Sequence, residues 1–297
     1  MAPAELPETG GRIDWLASYP KSGNTWLRLL LANYFSETDD PHDINAPGVT
    51  RGVARSRWLF DNFLGLSSSD LLPHETLALQ PHVFDIMARR NTAPVWLKVH
   101  DRQQRLADGR WLFPPAASGV VVYIIRNPLD VAVSNAFHDG HADMERAVDK
   151  LCDAAMTIGA RGSSQIPQLL GDWSEHVSSW VDQPDIPVLV VRYEDMLANA
   201  ADALASVIAF ARPETVLDPA RVDRAVRHTR IEALQAAERD RGFREAPRRA
   251  TPFFRSGRAG DWLSHLSAAQ AGRIRSAHLP VMRRFGYAGG AEWRPGK

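Results

Sequence analysis

Residues 13–31 read Ile13-Asp-Trp-Leu-Ala-Ser-Tyr-Pro-Lys-Ser-Gly-Asn-Thr-Trp-Leu-Arg-Leu-Leu-Leu31. A short apolar run, Ile13 to Ala17, precedes a turn with Pro20 and Gly23, and the apolar residues that follow recur at helical spacing. This order predicts a strand, a tight loop and a helix. Such a loop presents unpaired backbone N–H groups and the positive end of the helix dipole, so we interpret it as a phosphate-binding loop.

The side chains of this loop fit an anion. Lys21 adds a positive charge, and Ser22 and Thr25 add hydroxyl donors. In the Walker A loop, Gly-x-x-x-x-Gly-Lys-Ser/Thr, the lysine follows the second glycine. Here Gly23 and Thr25 fit that pattern, but Asn24 takes the place of the lysine. The loop is therefore predicted to be a relative of the P-loop, and the alternative is an ordinary surface turn before an amphipathic helix.

Composition limits the class of protein. A chain of 297 residues, 44% of them hydrophobic, can bury a large core in a single α/β domain. The 35 basic and 35 acidic residues cancel, which argues against a broad nucleic-acid surface. One cysteine, Cys152, excludes an intrachain disulfide and favours a reducing, cytoplasmic location. The sequence contains no uninterrupted run of 18 apolar residues, so no membrane span is predicted.

Three more segments have strand character: 95–100, 119–125 and 186–192. Together with the first strand they predict an α/β fold with a central parallel sheet flanked by helices. Polar residues stand at the ends of these strands, where open parallel sheets bind ligands: His100, Arg126 and Tyr193. Helical spacing is found in five later segments: 141–160, 166–182, 199–211, 218–240 and 267–285.

The second and third strands carry candidate catalytic and binding groups. Lys98 and His100, two positions apart on one strand, project to the same face and supply a cation and a titratable base. A structural histidine is the alternative. Arg126 offers a guanidinium group that can form two hydrogen bonds to a phosphate. Ser134, which stands two turns into the next helix, adds a hydroxyl donor. Asp130 is expected to cap or orient backbone groups. No acidic Walker B residue follows the third strand.

The segment Tyr19–Trp26 resembles the 5'-phosphosulfate loop of sulfotransferases that use 3'-phosphoadenosine 5'-phosphosulfate (PAPS), usually Tyr-Pro-Lys-Ser-Gly-Thr-Thr-Trp. Asn24 departs from that wording but still offers an amide. The resemblance implies that Lys21 reaches the leaving oxygen and that Trp26 lies against the adenine. Lys98-Val-His100 is similar to the Lys-Thr-His of the family, in which the histidine is the general base. Lys21, Lys98 and His100 are therefore the expected catalytic residues.

Three further segments are similar to nucleotide-binding motifs of the same family. The segment 126–134 resembles the 3'-phosphate motif, which implies that Arg126 and Ser134 bind that phosphate. Tyr193 begins a Tyr-Glu-Asp sequence whose tyrosine contacts adenine in the family. The segment 228–231 resembles His-Thr-Ser-Phe, which places Thr229 and Ile231 at the adenine.

The loop 253–262 is similar to Arg-Lys-Gly-x-x-Gly-Asp-Trp, which completes the 3'-phosphate site in the family. The resemblance implies that Arg255, Ser256 and Gly257 bind this phosphate. Ser256 replaces the family lysine, and Arg258 is a candidate for the missing charge. The residues expected to bind the donor are therefore Lys21, Ser22, Gly23, Asn24, Thr25, Trp26, Arg126, Ser134, Tyr193, Thr229, Ile231, Arg255, Ser256 and Gly257.

The resemblance as a whole implies a sulfotransferase domain over 13–288, between a flexible N-terminus (1–12) and a C-terminal tail (289–297). It would transfer the sulfuryl group of PAPS to a small-molecule hydroxyl without a metal. The motif wording looks closer to bacterial small-molecule members. A P-loop kinase or nucleotide hydrolase, and a catalytically silent nucleotide-binding protein, are the alternatives. The irregular segment 36–75 is either a binding wall or a surface excursion, and apolar residues in 53–66 and 80–87, with Phe137, suggest the acceptor pocket.

Overall fold

A five-stranded parallel sheet forms the centre of the computed structural model, which describes residues 11–46, 48–140, 142–159, 163–246 and 252–288. Of the predicted terminal segments, residues 1–10 of the N-terminal segment 1–12 and the whole C-terminal tail 289–297 lie outside these residues. Gly11 and Arg12 are already attached to the sheet, because the Gly11 amide donates to the Asn91 carbonyl and the Arg12 carbonyl accepts from Val95.

The sheet has the strand order β2-β3-β1-β4-β7, and every pairing is parallel. A separate antiparallel hairpin is made of β5 and β6. The strands are β1 (Ile13–Ser18), β2 (Thr50–Val53), β3 (Val95–Val99), β4 (Ser118–Ile125), β5 (Thr157–Ile158), β6 (Gln168–Leu169) and β7 (Val188–Arg192). The predicted α/β class with a central parallel sheet is confirmed.

Helices cover both faces of this sheet. They are α1 (Asn24–Phe35), α2 (Arg57–Leu64), α3 (Pro73–Arg90), α4 (Pro128–His138), α5 (Met144–Leu151), α6 (Trp173–Val181), α7 (Tyr193–Ala198), α8 (Ala200–Ala211), α9 (Pro219–His228), α10 (Ile231–Arg241) and α11 (Ala268–Arg284).

The two faces of β1 enter two different cores. Ile13, Trp15 and Ala17 pack with α3, α6 and α11 on one side. Leu16 points the other way and packs with α1, α8 and α9. This alternation follows from the two-residue period of a strand, and burial on both faces explains why the run is almost continuously apolar.

Several predicted helices are shorter than their sequence patterns. The pattern over 141–160 yields only α5, and that over 166–182 yields only α6, because the chain between them turns to form the β5–β6 hairpin. Gly171 takes a φ of 67°, and the side chain of Asp172 then caps α6 by accepting from the Glu175 amide. The pattern over 218–240 is two helices, which separate at Thr229 and Arg230.

The segment 36–75 is more regular than expected. It contains β2, α2 and the start of α3. These elements are too short, or at an edge, to impose a clear period on the sequence. The start of α3 is stabilised by Glu75, whose carboxylate accepts from the Leu72 amide.

The carboxyl ends of four neighbouring strands lie along one edge of the sheet. The loop 19–23 follows β1, His100 follows β3, Arg126 follows β4 and Tyr193 follows β7. Since all four strands are parallel, residues that are far apart in sequence meet here, at the edge where such sheets bind ligands.

Candidate active site

A cleft of about 1080 Å³ opens at this edge of the sheet. It is lined by every residue predicted to be catalytic or to bind the donor except Ser22. Gly23 and Arg126, which come from different strand ends, face the same cavity. The structure therefore brings the predicted residues together, while their individual roles remain predictions.

The loop 19–23 before α1 forms a tight turn. Lys21 and Gly23 have φ values of 70° and 105°, in the left-handed region. A Cβ atom at position 23 would lie 2.6 Å from the Tyr193 ring, so both the conformation and the space require glycine. Asn24 fastens the loop to the sheet by donating its side-chain amide to the Leu16 carbonyl at 2.9 Å. The free amides at the start of α1 are thus held at the cleft.

Ser22 lies within this loop, between Lys21 and Gly23. It is 1% exposed, and its hydroxyl has no hydrogen-bond partner among the described residues. A buried hydroxyl without a partner is costly unless a ligand satisfies it. Its place between Lys21 and Gly23 is consistent with the predicted part in anion binding.

Lys21 lines the cleft and forms no ion pair with a carboxylate of the described residues. Its ammonium group donates to Nδ1 of His138 at 3.2 Å and lies 3.9 Å from the centre of the Phe253 ring. Removal from water, together with the nearby charges of Lys98 and Arg126, lowers the pKa of Lys21 to about 7. The fall in pKa shows that burial and the neighbouring cations outweigh the more distant carboxylates of Glu245 and Glu238, so a bound anion would stabilise the charged form.

His100 has a defined tautomer. Its Nδ1 lies 2.8 Å from the carbonyl oxygen of Ser18, which can only accept, so Nδ1 carries the proton and Nε2 has a free lone pair. Burial, and then the charge of Lys98, lower the pKa of His100 well below its usual value. His176 donates to the His100 carbonyl at 2.8 Å and fixes the backbone. A neutral imidazole with a free nitrogen is suited to accept a proton.

Lys98 is paired with an acid that the sequence did not indicate. Its ammonium group lies 3.0 Å from the carboxylate of Glu245, which also contacts Arg28 at 2.5 Å. Lys98 and His100 do line the same cleft, as predicted from their spacing. The difference from Lys21 is that the charge of Lys98 is already balanced.

Arg126 connects the phosphate loop to the loop 253–262. Its guanidinium donates to the carbonyl oxygens of Lys21 and Arg258 at 3.0 and 3.2 Å and stacks over the Tyr193 ring. Its Nε has no partner among the described residues. Asp130 accepts from the Gly260 and Trp262 amides, which confirms the prediction that it orients backbone.

Beside Gly23 and Arg126 the lining of the cleft is more apolar. Trp26 and Tyr193 meet edge to face with their ring centres 5.9 Å apart. Thr229 is buried and donates to the Ala225 carbonyl, and Ile231 packs so closely on Gly257 that a Cβ there would lie 3.0 Å away. Two aromatic rings and an aliphatic side chain at one end of a cationic cleft provide a surface on which a flat base can stack.

The loop 253–262 contributes less charge than expected. Arg255 lines the cleft, but it forms an ion pair with Asp261 and stacks on Phe137. Arg258 is exposed and is not among the residues that line the cleft. Arg126 is the cation that this loop clamps in place.

Most of the apolar residues predicted for the acceptor pocket do not line the cleft. Of the apolar residues proposed for the acceptor pocket, only Val53 is among the lining residues, and Phe137 lies beneath Arg255. The wall is formed instead around the β5–β6 hairpin, by Met156, Ile158, Ser164, Gln165 and Leu170. Strands β5 and β6 have only two residues each, so they show no hydrophobic period from which the sequence could predict them.

The described residues contain neither a cluster of metal-binding side chains nor a helix that could span a membrane. No group of three or more histidine, cysteine, aspartate or glutamate side chains in this part of the chain could hold a metal ion. No helix among the same residues is long and apolar enough to cross a bilayer.

Comparisons with known proteins give consistent matches. The family model of the sulfotransferase domain matches residues 14–286. Among curated proteins, rat sulfotransferase 2A6 is 24% identical over 86% of this chain and 79% of its own length. The guinea pig 3-alpha-hydroxysteroid sulfotransferase is 25% identical over 86% of this chain and 78% of its own.

Solved structures show a similar fold. The crystal structure of mouse sulfotransferase SULT7A1 complexed with PAP (3'-phosphoadenosine 5'-phosphate) has a TM-score of 0.58 at 18% identity, over 92% of this chain and 85% of that one. Retinol dehydratase in complex with androsterone and PAP has a TM-score of 0.57 at 19% identity, over 94% and 84% of the two chains.

Proposed function

The chain belongs to the sulfotransferase family, and from that membership we propose that it transfers the sulfuryl group of PAPS to a hydroxyl of a small-molecule acceptor. The family predicted from the loop motifs is thereby confirmed. One observation supports the proposed reaction above all others: the phosphate loop, the neutral His100 and the clamped Arg126 line a single cleft.

The cleft fits a donor with anionic groups at two places. At one, the buried Ser22 Oγ of the loop 19–23 has no partner among the described residues, and at the other Arg126 Nε likewise has none in that part of the chain. Buried polar groups of this kind are satisfied in a working site by a ligand. Trp26, Tyr193 and Ile231 supply the apolar surface for the base. The relatives with PAP in their crystal structures support the same donor for this chain.

When bound, PAPS supplies a sulfuryl group activated by a phosphate leaving group. Lys21 is placed to stabilise the negative charge that develops on the bridging oxygen, and the amides at the start of α1 share that charge. A sulfuryl group carries less negative charge than a γ-phosphoryl group. We therefore propose that lysine side chains suffice where kinases use magnesium.

His100 removes the proton of the acceptor hydroxyl. The Ser18 carbonyl holds the proton on Nδ1, so Nε2 is the atom that accepts. In the transfer, the bond between sulfur and the bridging oxygen breaks, a bond from sulfur to the acceptor oxygen forms, and the acceptor proton passes to His100. Lys98 assists by balancing the charge of the sulfuryl oxygens.

The acceptor site is proposed to lie between His100 and the β5–β6 hairpin. Val53, Met156, Ile158 and Leu170 give it an apolar lining, with Ser164 and Gln165 as polar contacts. This lining suits an apolar or aromatic hydroxyl compound. The balanced net charge gives no basis for a nucleic-acid partner, and the single cysteine supports a cytoplasmic location.

The test is to incubate the protein with PAPS and a panel of hydroxyl compounds and to detect sulfated products by mass spectrometry. We expect at least one product, and no turnover of magnesium-ATP. His100→Ala should lower turnover by about 10²- to 10⁴-fold because the general base is lost. PAP should raise the melting temperature of both proteins equally, and by more than 5'-AMP does.

Wild-type turnover by a folded His100→Ala variant would remove His100 from the mechanism. Equal shifts of the melting temperature with PAP and 5'-AMP would contradict a 3'-phosphate site. Turnover of magnesium-ATP without sulfate transfer would replace the proposal by a P-loop kinase or hydrolase.

A further inference from the structure

Glu245 is a carboxylate placed among the cations of the donor site. One oxygen lies 3.0 Å from the Lys98 ammonium, and the other lies 2.5 Å from the guanidinium of Arg28. Arg28 in turn donates to the hydroxyl of Thr25, in the first turn of α1, at 3.3 Å. The carboxylate therefore bonds to groups that border the place proposed for the phosphosulfate of the donor.

The position of Glu245 is defined by the chain on its N-terminal side. The side chain of Asn45 donates to the Gly242 carbonyl at 3.0 Å and accepts from the Arg244 amide at 2.8 Å. Phe243 packs against Phe253, with ring centres 4.7 Å apart. These contacts hold residues 242–244 against the body of the domain, so that Glu245 is presented to Lys98.

The carboxylate is charged at every physiological pH. Burial by itself raises the pKa of Glu245, but Lys98 and Arg28 outweigh burial and bring it down to about 2. Burial also lowers the pKa of Lys98, while Glu245 acts in the opposite direction. The two groups therefore stabilise each other's charged forms.

An anionic donor cannot occupy this place beside Glu245 without repulsion. Lys98 has three N–H donors, but the charge of one ammonium group balances only one anion. The donor brings negative charge to the same cations, and like charges at contact distance oppose each other. Either the carboxylate is displaced or the donor binds less tightly than the cations alone would allow.

We propose that Glu245 is an internal counter-anion, which neutralises Lys98 and Arg28 in the donor-free enzyme and competes with the donor for them. This inference rests on the proposed function, because it assigns the competing ligand as PAPS. After transfer, Glu245 returns to Lys98 as the sulfuryl group leaves and so favours release of PAP. The opposite role, in which Glu245 holds Lys98 ready for the donor, predicts the opposite change in affinity.

The test is to measure the binding of PAP and PAPS to the wild-type protein and to Glu245→Gln by calorimetry. We expect the variant to bind PAPS roughly tenfold more tightly, a change of about 1.4 kcal/mol, and PAP less markedly so. PAPS should show the larger effect because its sulfuryl group faces Lys98. In steady-state kinetics, the variant should have a lower donor KM and, where product release limits turnover, a lower kcat.

Asp139→Asn is the matched control. It removes one negative charge from the lining of the same cleft, but Asp139 pairs with Lys150 at 2.5 Å and not with Lys98. A general effect of net charge would tighten binding in both variants, whereas local competition tightens it in Glu245→Gln alone. In a Lys98→Met background, the effect of Glu245→Gln should shrink, because one of the contested cations is gone.

Unchanged or weaker donor binding by a folded Glu245→Gln variant would overturn the inference and leave the proposed function standing. Equal tightening by Asp139→Asn would also overturn it. If the wild-type protein binds neither PAP nor PAPS, the proposed function fails and this inference fails with it.

Discussion

Lys21 and Lys98 line the same cleft, but their charges are balanced in different ways. Lys98 forms an ion pair with Glu245. Lys21 forms no ion pair within the described residues and contacts the neutral groups of His138 and Phe253. The difference shows two ways to keep a cation in a binding site. One lysine is paired with a carboxylate that opposes the fall in its pKa, while the other has no ion-pair partner among the described residues and its pKa falls to about 7.

The largest effect is expected from removing the uncompensated cation. Lys21→Met should lower turnover by about 10²- to 10³-fold, as the loss of one group that stabilises developing negative charge does elsewhere. At pH 6, where Lys21 is charged, the donor-free variant should melt at a higher temperature than the wild type, by about 2–4 °C for each kcal/mol relieved. Scanning calorimetry without donor measures this change.

A matched substitution at the paired lysine sharpens the contrast. Of the described residues, Lys98→Met leaves Glu245 with Arg28 alone as an ion-pair partner, so the donor-free variant should melt at a lower temperature than the wild type. Adding Glu245→Gln should restore part of the loss. If Lys98→Met and Lys21→Met change the melting temperature in the same direction, the two lysines do not differ as the structure indicates.

The smallest expected effect is the change in protonation of Lys21 with pH and with ligand binding. Because the folded-state pKa of Lys21 is about 7 and the unfolded value is near 10.5, the folded protein binds fewer protons between these two pH values. The stability penalty of the buried charge is present below pH 7 and is relieved as pH rises from 7 to 10.5. An anion bound beside Lys21 should raise its pKa again.

Binding of PAP at pH 8 should therefore take up close to one proton. Calorimetry in two buffers with different ionisation enthalpies measures this uptake. Lys21→Met should abolish it, and Lys98→Met should reduce it little. Uptake that survives in Lys21→Met would assign the proton to another group.

The donor half of the site was predictable because its signals are local. A curled loop with Lys21 and Gly23 is encoded within a few residues, and parallel pairing then brings Arg126 and Tyr193 to the same edge. The lining that we propose for the acceptor was not predictable. The β5–β6 hairpin is too short for a hydrophobic period, and residues placed in long helices by their spacing proved to form this turn.

The sequence alone determined the α/β class, the loop at the end of β1 and the family. These features depend on strand periods, glycine conformations and short motifs, each of which is set by neighbouring residues. Only the tertiary structure determined which charged side chains form ion pairs. Lys98 and Glu245 lie 147 residues apart, and nothing near either residue indicates the other. An ion pair depends on distance in space, and no local pattern records which distant side chain the fold will bring within 3 Å.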